Sequence, residues 1–150
     1  MPQSMRFYLV LIVLLGSICA CQKPTDPPTK PQESTTKTGI IMIALPAGEF
    51  TMGDDNGEND ERPVRRVTIA GFHIDKYEVT QKAYRDLMGT IPPAKNPADD
   101  KPTQQATWLQ AAQYCNARSL REGLAPCYDA ATMKCNFDAD GYRLPTEAEW

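Results

Sequence analysis

The sequence contains a single histidine, His73, and this scarcity excludes several kinds of active site. A metal centre built on two or three histidines cannot form within these 150 residues. A serine or cysteine nucleophile could pair only with His73, and this residue alternates with core positions along a predicted strand. We therefore predict a structural or surface role for His73 and assign no catalytic residue.

Basic residues are also too few for a nucleic-acid-binding surface. The chain has 16 lysines and arginines against 19 aspartates and glutamates, which gives a net charge of −3. A nucleic-acid-binding domain normally carries a clustered basic face, so we expect no nucleic-acid partner. The hydrophobic share of 41% is ordinary for a soluble protein, and 150 residues suffice for one domain at most.

The longest apolar run lies at the N terminus, where residues 1–21 are typical of an export signal. Arg6 precedes the uninterrupted apolar run 7–15, and small residues follow it. The apolar stretch of roughly a dozen residues is shorter than the ~20 that a membrane-spanning helix needs. The segment is therefore predicted to be a signal peptide.

The end of this segment resembles the signal of bacterial lipoproteins, in which cleavage precedes a lipid-bearing cysteine. Cys21 follows the small residue Ala20, whereas Cys19 follows the branched Ile18, so Cys21 is the predicted lipidation site. The alternative is an ordinary cleaved signal with two incidental cysteines. A lipid on Cys21 would anchor the protein to a membrane of the cell envelope. Gln22 favours the outer membrane over retention at the periplasmic face of the inner membrane.

Residues 22–39 contain prolines, threonines and charges but no large apolar side chain. Such a segment buries too little surface to offset the entropy that ordering costs. It is predicted to be a disordered Pro/Thr-rich linker that holds the following domain away from the membrane.

Residues 40–150 interleave short strands and helices, which predicts an α+β domain. Apolar runs and alternation predict strands at residues 40–45, 49–53, 66–69 and 72–75. A first helix is predicted from the cap Thr80 to Gly89, and a long loop over residues 90–106 follows it. A second helix begins at the capping box of Thr107 and Gln110 and ends near Gly123.

The chain ends within a third predicted helix. Pro145 opens that helix, and Thr146 and Glu149 form its capping box. One turn fixes several dihedral angles for almost no hydrogen bonding, so it cannot be stable alone. We therefore expect the domain to continue beyond Trp150.

Five segments together resemble the formylglycine-generating enzyme, or sulfatase-modifying factor, family. They occur in the order of that family, at residues 45–53, 61–69, 72–80, 107–116 and 141–150. The last segment, Gly141-Tyr-Arg-Leu-Pro-Thr-Glu-Ala-Glu-Trp150, is the most specific. The resemblance implies a loop-rich fold related to C-type lectins, with residues 40–150 as its N-terminal part.

The resemblance also implies chemistry. The best-known members use oxygen to oxidise a cysteine of a sulfatase peptide to formylglycine. Copper held by two cysteines and separate calcium sites are implied for the full-length domain. Those positions lie downstream of residue 150, so no metal ligand is assigned and the fragment alone is expected to be inactive. Other relatives are iron enzymes for sulfur-containing metabolites or non-catalytic modules.

Three functions are therefore open. The first is an oxidase acting on a protein or peptide cysteine at the cell envelope. The second is a non-catalytic lectin-like module that binds a glycan or a protein. The third is an iron-dependent enzyme for a sulfur-containing metabolite.

Cys127 and Cys135 are predicted to form a disulfide, because exported proteins fold in an oxidising compartment. The alternative is a metal-binding or redox pair. Cys115 lies on the apolar stripe of the second predicted helix, as a core thiol or as the partner of a cysteine beyond Trp150.

Residues 136–147 nearly match a calcium-binding EF-hand loop. Asn136 replaces the usual first aspartate, and Arg143 and Pro145 occupy positions that the loop does not tolerate well. No incoming helix precedes the segment, so we interpret the match as coincidental.

Overall fold

The computed structural model describes residues 31–150, which form an α+β arrangement as predicted. The strands are β1 (Glu33–Thr35), β2 (Ile41–Leu45), β3 (Gly48–Met52), β4 (Arg65–Ile69) and β5 (Phe72–Asp75), and the helices are α1 (Gln81–Met88) and α2 (Trp108–Glu122). The predicted signal peptide, the lipidation site Cys21 and the linker residues 22–30 lie outside the described residues.

The strands form two antiparallel sheets. One sheet has the order β1-β2-β5, and β3 and β4 form a separate two-stranded hairpin. Branched residues face each other across the first sheet, where Ile43 lies opposite Ile74. In the hairpin, Phe50 lies opposite Val67. These pairs fix the register because a slip of one residue would turn the apolar side chains to the other face.

The prediction of a disordered linker was wrong for residues 33–39. Strand β1 pairs with β2, and a turn over residues 36–39 leads into β2. Lys37 Nζ donates to the Glu122 carbonyl at 2.7 Å, and Thr38 Oγ1 donates to Glu122 Oε1 at 2.6 Å. An edge strand is stabilised through main-chain and polar contacts, so the absence of apolar side chains did not prevent its order.

Both predicted helices are present, with the predicted caps. Thr80 Oγ1 accepts from the Ala83 N–H at 3.2 Å at the start of α1, which ends at Gly89 in the left-handed conformation. Thr107 and Gln110 form the capping box of α2. At the C terminus, the N–H groups of residues 149 and 150 both donate to the Thr146 carbonyl, so residues 146–150 form a hydrogen-bonded turn at the predicted start of the third helix.

The core lies on one side of α2 and is small. Its buried members are Ala112, Cys115, Cys127 and Tyr128, against which the partly buried Met133, Cys135, Ala139, Tyr142 and Leu144 pack. Tyr84 of α1 stacks on Tyr114 of α2 with ring centroids 5.3 Å apart, which holds the two helices together. Across residues 31–150, neither helix is long and apolar enough to cross a membrane.

Candidate binding cleft

A cleft of about 970 Å³ lies between β5, α2 and the segment of residues 137–150. That volume is at the upper end of the range of ligand pockets, about 300–1,000 Å³. Its walls are mainly apolar, with contributions from Phe72, Ile74, Val79, Ala111, Leu124 and Leu144. Two aromatic side chains that line it, Tyr77 and Phe137, are largely exposed. The cleft therefore combines an apolar interior with accessible aromatic rings.

A buried arginine joins two walls of the cleft. Arg118 of α2 is 3% exposed, and its Nη1 donates to both carboxylate oxygens of Asp75 at 2.9 and 2.7 Å. Its Nε lies 3.5 Å from Glu122 Oε1, one helical turn further along α2. Burial alone would lower the pKa of Arg118, but the hydrogen bonds and charge of Asp75 raise it above its ordinary value. The guanidinium is thus held as a cation inside the fold.

Tyr142 covers this cation from the other side. The Arg118 Cζ atom lies 3.7 Å from the Tyr142 ring centroid, the distance of a stacked cation–π contact. The Tyr142 hydroxyl donates to Glu122 Oε2 at 2.7 Å. Burial, followed by this hydrogen bond, raises the pKa of Tyr142 to about 12. Burial alone would raise the pKa of Glu122, yet the hydrogen bonds from Thr38 and Tyr142 lower it.

A second ion pair lies at the rim of the cleft. Arg143 donates to both carboxylate oxygens of Glu149 at 2.7 Å each. This bidentate pair lowers the pKa of Glu149 to about 2. The Arg143 Cζ atom also lies 5.0 Å from the Phe137 ring centroid. The pair therefore fixes the turn at residues 146–150 against the segment that carries Phe137.

Two polar atoms of cleft-lining residues have no hydrogen-bond partner among residues 31–150. They are Arg118 Nη2 and Thr103 Oγ1, and both are shielded from solvent. The Thr103 main chain is fixed separately, because its N–H donates to the Val79 carbonyl at 2.8 Å. A buried polar group without a partner is unusual in a native protein and calls for an explanation.

Of the described cysteines, Cys115 and Cys127 are buried and Cys135 is partly buried. Cys115, Cys127 and Cys135 are free thiols in the structure, so the disulfide between Cys127 and Cys135 stays a prediction. Cys135 forms a β-bridge with Tyr128, the residue after Cys127. Burial raises the pKa of Cys115 to about 12 and also raises that of Cys127. Neither thiol is poised to ionise near neutral pH.

Within residues 31–150, no three histidine, cysteine, aspartate or glutamate side chains are grouped to hold a metal ion. In the segment resembling an EF-hand loop, Asp140 Oδ1 accepts from the Ala125 N–H at 2.8 Å and Asn136 Oδ1 accepts from the Asp138 N–H at 3.0 Å. These oxygens therefore accept main-chain hydrogen bonds, which stabilise the local backbone conformation. The described residues thus do not fit copper or calcium, and we derive no step through either ion.

The charged centre of the cleft was not predicted from the sequence. Arg118 was given no role, although it follows Cys115 by three residues and so falls on the buried stripe of α2. A charged residue on that stripe was the available signal. Its partner Asp75 lies on β5, far away in sequence, and no local pattern pairs the two.

Comparisons with known proteins bear on this arrangement. A family model described as the Sulfatase-modifying factor enzyme 1-like domain matches residues 25–150. The chain is similar to the chaperone protein LppX of Paenibacillus barcinonensis, at 40% identity over 97% of this chain and 54% of that protein. It is also similar to the formylglycine-generating enzyme of Mus musculus, at 29% identity over 73% of this chain and 38% of that protein.

Among solved structures, Treponema denticola variable protein 1 resembles the chain with a TM-score of 0.70 and 23% identity, over 81% of this chain and 55% of that one. This likeness concerns the fold and confirms the predicted relation to C-type lectins. The chain spans about half the length of the chaperone protein LppX and less of the mouse enzyme.

Proposed function

This chain belongs to the sulfatase-modifying factor enzyme 1-like domain family, and from that premise we propose that it is an exported, lipid-anchored protein that binds polypeptide in its cleft. The observation that carries the proposal is the cleft itself, with apolar walls and the exposed rings of Tyr77 and Phe137. Aromatic side chains contribute most to binding when a partner covers them. A relative at 40% identity is named a chaperone, and chaperones bind polypeptides.

Binding is tested with fluorescein-labelled α-lactalbumin that has been reduced and carboxymethylated, so that it stays unfolded. The protein is expressed from its own gene and purified. It is then titrated into the labelled α-lactalbumin while fluorescence anisotropy is recorded. We expect saturable binding of this probe and none of native α-lactalbumin, whose apolar side chains are already buried.

The cleft is tested with two of its largely exposed residues, Tyr77 and Phe137. The double variant Tyr77→Ser with Phe137→Ser is expected to bind about fivefold or more weakly, because each ring loses a contact of hot-spot type. Leu120→Ser is the matched control, since Leu120 is as exposed as Tyr77 but does not line the cleft. Equal affinity of the double variant and the control would contradict the proposal.

A second candidate is oxidation of a polypeptide cysteine to formylglycine, which the family and the mouse relative favour. That reaction also begins with a bound polypeptide. It is tested by incubating the protein with a sulfatase peptide, copper(I), oxygen and a thiol reductant that supplies the two further electrons needed to reduce oxygen to water, and by trapping the product aldehyde with a hydrazide for mass spectrometry. Binding without aldehyde favours the first candidate, and aldehyde formation favours the second.

Attachment to the cell envelope is part of the proposal and rests on the segment before Cys21. Mass spectrometry of the mature N terminus should find a lipid-modified Cys21. The variant Cys21→Ser should lose the modification and membrane association, whereas Cys19→Ser should keep both. An unmodified residue at the mature N terminus would contradict lipid anchoring.

A further inference from the structure

We propose that polypeptide binds in the cleft by adding a strand to the free edge of β5, and that apolar segments carrying lysine or arginine bind best. This inference rests on the proposed polypeptide binding and states how the cleft holds the chain. Within residues 31–150, β5 is an outer strand of the sheet β1-β2-β5. The outer strand of a sheet presents main-chain N–H and C=O groups with which a further strand can pair.

The pairing of β5 with β2 shows which of its main-chain groups are free. The Lys76 N–H donates to the Ile41 carbonyl at 2.8 Å. In an antiparallel pair, residues that exchange hydrogen bonds alternate with residues that do not. Residues 72, 74 and 76 therefore direct their main-chain groups to β2, whereas His73 and Asp75 direct theirs away from it.

The pairing of β2 with β1 follows the same alternation. The Ala44 N–H donates to the Gln32 carbonyl at 3.0 Å, so residues 42 and 44 of β2 face β1 and its other residues face β5. No main-chain group of His73 or Asp75 forms a hydrogen bond with another residue in the described part of the chain. Two N–H groups and two carbonyls are thus available on the outer side of β5.

The free edge borders the cleft. Successive side chains of a strand point to opposite faces of the sheet, so a cleft over one face alone would contact every second residue. All residues from 72 to 76 line the cleft, which therefore follows the edge of β5 as well as one face. None of them is buried, and His73 is exposed. The free groups of His73 and Asp75 lie about 7 Å apart along the strand, the spacing that an added strand matches.

The unpaired charges of the cleft favour basic segments. Its three cations, Lys76, Arg118 and Arg143, each form an ion pair. The carboxylates of Glu78 and Asp140 also line the cleft, and neither forms an ion pair within residues 31–150. Glu78 lies just beyond the end of β5. A lysine or arginine of the added strand would be attracted to these carboxylates, and an acidic residue would be repelled.

Proline at position 73 tests the edge. His73→Pro removes an N–H that has no partner among the described residues, and proline is tolerated in an outer strand where its nitrogen faces away from the neighbouring strand. We expect this variant to bind carboxymethylated α-lactalbumin about tenfold more weakly or worse, because hydrogen bonds at one residue are lost and the ring obstructs pairing. His73→Ala is the matched control. It keeps the N–H and should bind within about threefold of the unaltered protein.

Amide exchange measured by NMR requires no variant. In the free protein, the N–H groups of His73 and Asp75 should exchange rapidly, and those of Ile74 and Lys76 slowly because they bond to β2. The probe is a synthetic peptide of alternating valine and threonine with two central lysines. At saturation it should slow exchange at residues 73 and 75 about tenfold or more.

A second peptide tests the charge preference. It has two central glutamates in place of the lysines and should bind about fivefold more weakly or worse. The difference should shrink in about 1 M salt, where charges are screened over a few ångströms. Equal affinity of the two peptides at low salt would overturn the preference for basic segments.

The outcomes separate this inference from the proposed function. If the unaltered protein binds neither α-lactalbumin nor the lysine peptide, polypeptide binding itself is wrong. If it binds both but His73→Pro binds as tightly as His73→Ala, only strand addition is wrong. Should His73→Pro fail to fold, amide exchange decides, and unchanged exchange at residues 73 and 75 overturns the inference. Slow exchange there in the free protein would mean that another segment already pairs with the edge, which overturns it as well.

Discussion

Arg118 and Asp75 tie helix α2 to the end of strand β5 through two hydrogen bonds of 2.9 and 2.7 Å. The arginine side chain is 3% exposed, so removal of the carboxylate would leave a buried positive charge without its main partner. Asp75→Ala is expected to lower the free energy of unfolding by about 3–5 kcal/mol. Urea denaturation followed by circular dichroism measures the change.

The control is an ion pair at the surface. Arg66 and Glu49 contact each other at 2.7 Å, but their side chains are 81% and 54% exposed. Arg66→Ala should change the free energy of unfolding by less than about 1 kcal/mol. If Asp75→Ala proved as mild as Arg66→Ala, the buried pair would not be a main tie between α2 and β5.

Gly141 is required where the chain passes closely over the end of α2. A Cβ atom at this position would lie 2.1 Å from the Ala125 carbonyl oxygen and 2.6 Å from Ser119 Oγ. Gly141→Ala is therefore expected to lower the free energy of unfolding by about 1–3 kcal/mol. Gly48→Ala is the control, because a Cβ at Gly48 would meet no atom within 4 Å. Equal stability of the two variants would show that the backbone at residue 141 adapts easily.

Acid sensitivity should depend on Glu149. Its hydrogen bonds with Arg143 lower its pKa to about 2 from the usual 4.5. A carboxylate with a lowered pKa in the folded state contributes stability above its unfolded pKa and loses that contribution as the pH falls. The contribution of Glu149 is thus complete above about pH 4.5 and lost progressively toward pH 2.

Glu149→Gln should therefore be less stable than the unaltered protein at pH 6, and the difference should shrink as the pH approaches 2. Urea midpoints across this range measure it. Glu147→Gln is the control, because Glu147 makes no ion pair within residues 31–150. A stability difference for Glu149→Gln that did not vary with pH would contradict the role of the Arg143 pair.

The disulfide between Cys127 and Cys135 stays a prediction, which rests on the proposed export to an oxidising compartment. Peptide mapping without reduction should find Cys127 linked to Cys135 and Cys115 alkylated as a thiol. Opening this short loop should lower the free energy of unfolding by about 2–3 kcal/mol. Reduction should therefore destabilise the unaltered protein and the Cys115→Ser variant, but not a double variant with serine at 127 and 135. Alkylation of both thiols without prior reduction would contradict the prediction.

Helices and caps could be predicted because their signals are local. Thr80, Gly89 and Thr107 act on groups within a few residues of themselves, so the sequence alone contains the relevant contacts. Strand β1 could not be predicted, since residues 33–35 gain their order by pairing with β2 rather than by burial of apolar side chains. Composition carries no record of such main-chain pairing.

The cleft could not be predicted from local sequence patterns, because the residues that form it are far apart in the sequence. Arg118 meets Asp75 across 43 residues, and Tyr142 closes the cluster from a third segment. A single sequence offers no pattern that joins three such positions. The resemblance to a family predicted the fold correctly, but the orphaned atoms of Arg118 and Thr103 became visible only in three dimensions.

Hydrogen–deuterium exchange locates the bound polypeptide on the chain. At saturating carboxymethylated α-lactalbumin, we expect slower exchange in β5 and in residues 137–145, which line the cleft. The β3–β4 hairpin contributes no residue to the cleft and should exchange at an unchanged rate. Slower exchange confined to the hairpin, or no change anywhere in the chain at saturating probe, would contradict polypeptide binding in the cleft.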